Sequence, residues 1–361
     1  MKSDSGTALL QWYDHGHRDL PWRRTRDPYR IWLSEIMLQQ TRVETVKGYY
    51  ARFLDLFPTV GALASAPEEQ VLKAWEGLGY YSRARNLRKA AAIVTNELNG
   101  RFPDTYDGLL KLCGVGAYTA GAIASIAFDA PVAAIDGNVT RVAARYFGVR
   151  EDVGAPSVQK QIHSLVSGWL VASRPGDFNQ ALMELGATVC LPAAPDCARC
   201  PLRMSCDAFE EGDAALLPVH EKKRPPKVVE TTVCLLVCGD RVVTMRRSQR
   251  MLGGLYVFYL VQDGQSPERI VAELREQGLA CSDLGSLCHA RHVFTHQVWE
   301  MDVRLFSMQK APEGAVLERL QANLSSVADL EQLPMPTAMK VAREQAIQAL
   351  RKRGEPHRAP R

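Results

Sequence analysis

Four cysteines fall within seventeen residues, at Cys190, Cys197, Cys200 and Cys206, in the spacing C-x6-C-x2-C-x5-C. A loop this short can wrap four thiolates around one soft centre, and both zinc and an iron–sulfur cluster accept four cysteines. The spacing alone leaves those two open. The remaining thiols, Cys113, Cys234, Cys238, Cys281 and Cys288, share no such pattern and read as packing residues. No apolar run approaches the roughly 20 residues of a membrane span. The start, Met1-Lys2-Ser3-Asp4, carries an early acid and no apolar stretch. The expectation is therefore a cytoplasmic, monomeric chain without membrane contact, in which thiols serve a metal rather than disulfides.

At 361 residues, 46% hydrophobic and 23% charged, the chain can build two or three cores. Residues 1–210 read as almost all helix. Asp27-Pro28 looks like an N-cap followed by proline at the first helical position. Helical windows cover 29–38, a stretch toward Leu56 after the break at Gln39-Gln40-Thr41, then 68–76, 82–98, 105–112, 117–128, 138–147, 156–173 and 178–189. Residues 211–228, with the charged run Glu221-Lys222-Lys223-Arg224-Pro225-Pro226-Lys227, read as a linker. Beyond them, 229–352 changes period to strands at 231–237, 241–245, 255–261, 289–293 and 297–306, with helices at 267–277 and 336–351. That is an α+β domain.

Two stretches carry chemistry. Leu112-Cys113-Gly114-Val115-Gly116-Ala117-Tyr118 joins two helices, and its glycines leave N–H groups exposed at a helix N-terminus, a site suited to a DNA phosphate. A net charge of +4 permits such a partner without demanding it. Glu35 has Ile31, Trp32, Leu38 and Gln39 as its neighbours at helical spacing, so its carboxyl should be desolvated and proton-bearing. Asp136 opens the 138–147 helix, where a carboxylate is favoured in its charged form. One neutral acid and one anion is the division of labour used to cleave glycosidic bonds.

These pieces, in this order, resemble the helix-hairpin-helix DNA glycosylase superfamily that includes endonuclease III, and within it the adenine glycosylase (MutY) branch. The resemblance is carried by Trp32-Leu33-Ser34-Glu35-Ile36-Met37-Leu38-Gln39-Gln40-Thr41, Gly77-Leu78-Gly79-Tyr80-Tyr81, the hairpin, Asp136-Gly137-Asn138-Val139 and the four cysteines. It implies a mostly α catalytic region, made of a six-helix barrel module and a 4Fe-4S cluster module, followed by a Nudix-like recognition domain. It implies that the cysteines hold a structural 4Fe-4S cluster and that the partner is double-stranded DNA with adenine opposite 8-oxoguanine or guanine. Adenine would be flipped into a pocket, as enzymes acting on a base require.

In that reading Glu35 protonates the adenine at N7 and Asp136 stabilises the oxocarbenium-like sugar, assisted by Asn138 and Tyr118. Arg18, Trp22, Arg23 and Gln180 line the base pocket. Gln40, Thr41, Leu78, Tyr80, Gly114 and Gly116 meet the DNA, and Phe294-Thr295-His296 contacts 8-oxoguanine. Tyr118 stands where bifunctional relatives carry a lysine, and a phenol cannot form their Schiff base. The sequence departs from the family pattern at Thr295, usually serine, at Cys113, usually proline, and in Met251-Leu252-Gly253-Gly254, where tryptophan often precedes the glycines. Arg275-Glu276-Gln277-Gly278 is a remnant of a Nudix box without its run of glutamates, which argues against pyrophosphate hydrolysis. A thymine mismatch glycosylase on the same scaffold and a non-catalytic metal-bearing DNA-binding protein are the alternatives. The C-terminal domain argues against the first, and the contrasting carboxylates against the second.

Overall fold

The structure is a computed structural model that describes residues 4–221, 225–249, 251–262 and 264–354. Its helices are α1 (Ser5–Gly16), α2 (Pro28–Leu38), α3 (Val43–Leu56), α4 (Val60–Ser65), α5 (Glu68–Ala74), α6 (Ser82–Asn96), α7 (Tyr106–Leu110), α8 (Ala117–Phe128), α9 (Gly137–Tyr146), α10 (Pro156–Trp169), α11 (Pro175–Thr188), α12 (Asp207–Glu210), α13 (Pro267–Glu276), α14 (Gly314–Arg319), α15 (Val327–Gln332) and α16 (Lys340–Gly354). A 3₁₀ turn, Pro21–Arg23, separates α1 from α2. The chain divides into two compact units, residues 1–66 with 82–223, and residues 67–81 with 224–361.

The first unit is helical. Asp27 caps α2, accepting from the Tyr29 N–H at 2.9 Å with Pro28 at the first helical position, as the sequence predicts. The α2 stretch then buries Ile31, Trp32, Leu33, Ile36 and Met37, and Glu35 goes inside with them. Helices α9, α10 and α11 close a second core around Val139, Val142, Tyr146, Val166, Phe178 and Leu182. Tyr146 stacks on Trp169 there, ring centroids 4.4 Å apart. The helix expected over 156–173 ends at Trp169. Arg174 precedes Pro175, whose ring bars the helical region, and it adopts φ −144°, ψ 58°.

The second unit is a seven-stranded sheet of β1 (Lys227–Cys238), β2 (Arg241–Arg246), β3 (Tyr256–Val257), β4 (Tyr259–Gln262), β5 (Ser282–Val293), β6 (Gln297–Ser307) and β7 (Ala322–Ser325). The path runs β3-β2-β1-β6-β5, with β4 added to β1 and β7 to β2; β1 and β6 are parallel and every other pair antiparallel. Successive side chains of a strand face opposite ways. Val233, Leu235 and Val237 therefore join a core with Ala342, Ala346 and Leu350 of α16, while Cys234 and Leu236 join another with Ile270 and Leu274 of α13. Burial on both faces explains the unbroken apolar run in β1. The segment Lys222-Lys223-Arg224 of the expected linker lies outside the described residues.

The structure draws its units differently from the boundary expected at 210. The 67–81 segment, helical as the sequence predicts over α5, belongs to the second unit. Lys73 Nζ bridges Glu76 and donates to the Glu331 carbonyl, both at 2.7 Å, and Arg343 holds Glu76 at 2.6 Å. The Tyr256 hydroxyl donates to Glu69 at 2.8 Å. Apart from the local Lys73–Glu76 pair, these partners are more than 180 residues away in the chain, and no local pattern announces them.

Candidate active site

Glu35 is 5% exposed, and the Tyr118 hydroxyl donates to its Oε2. Burial pushes this carboxyl up to about 7, against the Tyr118 hydrogen bond and the Arg23 charge, which pull it down; the Asp136 charge adds to the rise. Tyr118 in turn is raised by burial and by the fields of both carboxylates. Glu35, Tyr118 and Asp136 are thus one electrostatically coupled group, and Met183 Sδ completes the surroundings of the phenol at 3.7 Å.

Asp136 caps α9, as its position in the sequence predicts. Its Oδ1 accepts from the Val139 N–H at 2.7 Å and its Oδ2 from Asn138 Nδ2 at 2.8 Å. The sequence expects these donors to favour the charged form. Burial opposes them more strongly, and the carboxyl titrates above its ordinary range. The contrast between the two acids lies in their partners: Asp136 faces N–H donors, whereas Glu35 has a phenol and apolar walls.

Asn138 is itself held. Arg141 Nη2 donates to Asn138 Oδ1 at 2.8 Å and to the Gly186 carbonyl at 2.7 Å, while its Nε donates to the Cys190 carbonyl at 2.8 Å. A Cβ on Gly186 would stand 2.6 Å from Asn138 Cβ and 3.1 Å from its backbone. Gly186→Ala is therefore expected to push α11 away from the turn that carries Asp136. The cost is about 1–3 kcal/mol of stability, read as a lowered melting temperature; an unchanged melt would mean the two helices part freely.

Arg23 and Arg18 meet on Glu184 of α11, whose side chain is 1% exposed. No motif singled out this acid. Trp22 is buried with its ring edge-on to Tyr50, 5.4 Å between centroids, and Gln180 is half-buried on α11. At the end of α2, Gln40 is exposed with φ 57° beside a half-buried Thr41. Arg83, which the sequence offers only as part of a basic cluster with Arg85, Arg88 and Lys89, is buried and anchors that turn by donating to the carbonyls of Ile36, Met37 and Gln39 at 2.7, 3.1 and 2.5 Å. In the hairpin Gly114 has φ 79°, and its missing Cβ would lie 2.7 Å from Asn86, while Gly116 caps α8 with an exposed backbone.

The four cysteines line one small cavity with Arg145, Arg203 and Phe209. Arg145 Nη1 donates to Cys190 Sγ at 3.3 Å, the Leu202 N–H donates to Cys200, and the Phe209 and Ala208 N–H groups donate to Cys206. N–H donors aimed at sulfur suit thiolates. Among the described residues no three His, Cys, Asp or Glu converge closely enough to hold a single metal ion. Four sulfurs lining one cavity, with N–H donors turned towards three of them, fit a centre that binds thiolates.

The second unit holds the other candidates. Phe294, Thr295 and His296 form the turn between β5 and β6, with the Phe294 ring 4.9 Å from Trp299 and the Thr295 and His296 side chains exposed. Tyr80, 46% exposed and at φ 47°, places its hydroxyl 3.0 Å from Thr295 Oγ1, and Leu78 is buried. The structure thus joins two motifs that the sequence separates by 215 residues.

Residues 33–167 match the model of the HhH-GPD superfamily base excision DNA repair protein, and 232–345 that of the NUDIX domain. An adenine DNA glycosylase of Buchnera aphidicola subsp. Acyrthosiphon pisum is 36% identical over 290 residues, 80% of this chain and 82% of that protein. The chain belongs to the adenine DNA glycosylase family. The human family member is 49% identical over 210 residues, 56% of this chain. The chain spans 38% of the length of that human relative and 43% of the mouse one. Among solved structures, a thermostable thymine-DNA glycosylase superposes with a TM-score of 0.53 at 31% identity, covering 58% of this chain and 97% of its own. An endonuclease III trapped on DNA shares the fold, with a TM-score of 0.50 at 24% identity over 59% of this chain and 98% of its own. No helix among the described residues is long and apolar enough to cross a membrane.

Proposed function

We propose that the chain removes adenine lying opposite 8-oxoguanine or guanine in duplex DNA, by hydrolysis of the N-glycosidic bond, and leaves an abasic site. The observation that carries the reading is the coupled pair of carboxyls: Glu35, buried and lifted to about 7, beside Asp136, whose oxygens face N–H donors. Glu35 delivers its proton to the adenine ring. The bond from the sugar to the base then breaks with its electron pair leaving on adenine. Asp136, oriented by Asn138, stabilises the positive sugar until water adds to it and gives up a proton. The Tyr118 phenol aligns Glu35 and offers no amine to the sugar, so no imine forms and the strand stays intact.

Arg18, Trp22, Arg23 and Gln180 would surround the flipped base. Gln40, Thr41, Gly114 and Gly116 would meet the duplex, and Leu78, Tyr80, Phe294, Thr295 and His296 the 8-oxoguanine left behind. Membership of the family supports these assignments, and so does the hydrogen bond between Tyr80 and Thr295. Cys190, Cys197, Cys200 and Cys206 would hold a 4Fe-4S cluster, which ties their loop together and takes no part in the base removal. A cytoplasmic monomer acting on DNA is the corresponding cellular form.

The test is incubation of the full chain with duplexes carrying A opposite 8-oxoguanine, A opposite G, or T opposite G, followed by alkali. Breaks at adenine in the first two, appearing only after alkali, are expected. Breaks at thymine alone would move the chain to the pyrimidine reading, and breaks without alkali would overturn the monofunctional mechanism.

A further inference from the structure

Glu184 makes more contacts than any motif assigns it. Its Oε1 accepts from the Arg18 N–H at 3.1 Å and from Arg18 Nε at 2.8 Å, and its Oε2 from Arg18 Nη2 and Arg23 Nη2, both at 2.8 Å. Arg23, with a 9% exposed side chain, also donates to the Arg18 carbonyl at 3.1 Å and lies over the Tyr13 ring, 5.5 Å from its centroid. A carboxylate this deep is tolerated because it is paired with good geometry. Burial alone would lift it, but the two arginines hold it at about 2.

We propose that Glu184 is a positioning residue: it fixes the Arg23 guanidinium at the place from which its charge reaches Glu35 and offsets part of that charge, so that the acid feels an ion-paired rather than a bare cation. The inference rests on the proposed role of Glu35. The charged and titratable groups facing Glu35 are Tyr118 of α8, Asp136 at the head of α9 and Arg23 of the 3₁₀ turn. Arg83 of α6 reaches the same helix but spends its guanidinium on the carbonyls of Ile36, Met37 and Gln39. On α3, Lys47 and Glu44 pair with each other at 2.9 Å. Glu184 is faced by Arg18 and Arg23, and its charge acts on Tyr13 together with those of Asp14 and Asp177. Arg23 is thus the cation that bears on the acid, and Glu184 is its counter-ion. Without the counter-ion, Arg23 stabilises the ionised form of Glu35, and the proton is lost at lower pH.

Carboxyl ¹³C NMR of the full chain, with Glu35 assigned by its absence in Glu35→Gln, reads this directly and without DNA. In Glu184→Gln the Glu35 titration is expected to move down by about one pH unit. In Arg23→Met it should move up, and that variant keeps the test open if Glu184→Gln does not fold. A Glu35 titration left in place by the variants that fold would overturn the proposal, even in a chain that excises adenine. Excision assays on the same samples separate the two ideas. Shifts as expected in a chain that never releases adenine would sink the functional reading and leave the electrostatic one standing. A uniform loss of rate with no movement of the pH profile would mark Glu184 as structural only.

Discussion

Glu35→Gln is expected to lower adenine release by about 10³-fold while leaving the affinity for a mismatched duplex within a few-fold of the native chain. Glutamine matches the size of glutamate and can still accept from the Tyr118 hydroxyl, so the pocket keeps its shape. What disappears is the transferable proton. The native chain should lose activity as the pH rises through about 7, because the acid works only below the value to which burial has lifted it. The glutamine variant should lose that limb altogether. Single-turnover assays with alkaline strand cleavage, run across pH, give both results. A glutamine variant that cleaves at the native rate would remove Glu35 from the mechanism.

That acid was legible in the sequence because the desolvating groups are its own helical neighbours. Ile31 and Trp32 lie one turn before Glu35, and both are buried with it. Asp136 was legible for the same local reason, as a cap of the helix that follows. Its raised titration was not, since burial outweighs the donors that the cap supplies, and burial is set by the packing of the fold rather than by neighbours in sequence. Glu184 offered a weaker form of the Glu35 signal, a carboxyl with Ala181 and Ala187 at helical spacing, but its meaning lies in two arginines 161 and 166 residues away. The assignment of 67–81 to the second unit was hidden likewise. Its helix has an ordinary pattern, and only the ties of Lys73, Glu76 and Tyr81 to the 331–343 region reveal where it packs. Local chemistry is written in local sequence; charge pairing across the fold is not.

Arg145 shows how far that second class of interaction reaches, and Arg145→Met is expected to destabilise the helical unit by about 3–5 kcal/mol. On α9 the residue looks like one more surface base, yet it is 1% exposed. Its Nε donates to the Leu217 carbonyl at 2.9 Å, its Nη1 to the Leu191 carbonyl at 2.7 Å, and its Nη2 to the Pro192 carbonyl at 2.6 Å. Methionine fills much of the space but donates nothing, so three carbonyls lose a charged donor, and that of the buried Leu217 loses it away from water. A loss of this size lowers the melting temperature by about 10 °C in a unit of some 200 residues. Lysine should do little better, since one ammonium cannot reproduce a planar fork directed at three acceptors. Thermal melts of both variants by far-UV circular dichroism decide the matter. If Arg145→Met melts within about 2 °C of the native chain, the carbonyls find other donors and the arginine is not what binds the cysteine loop to the helix that carries Asp136.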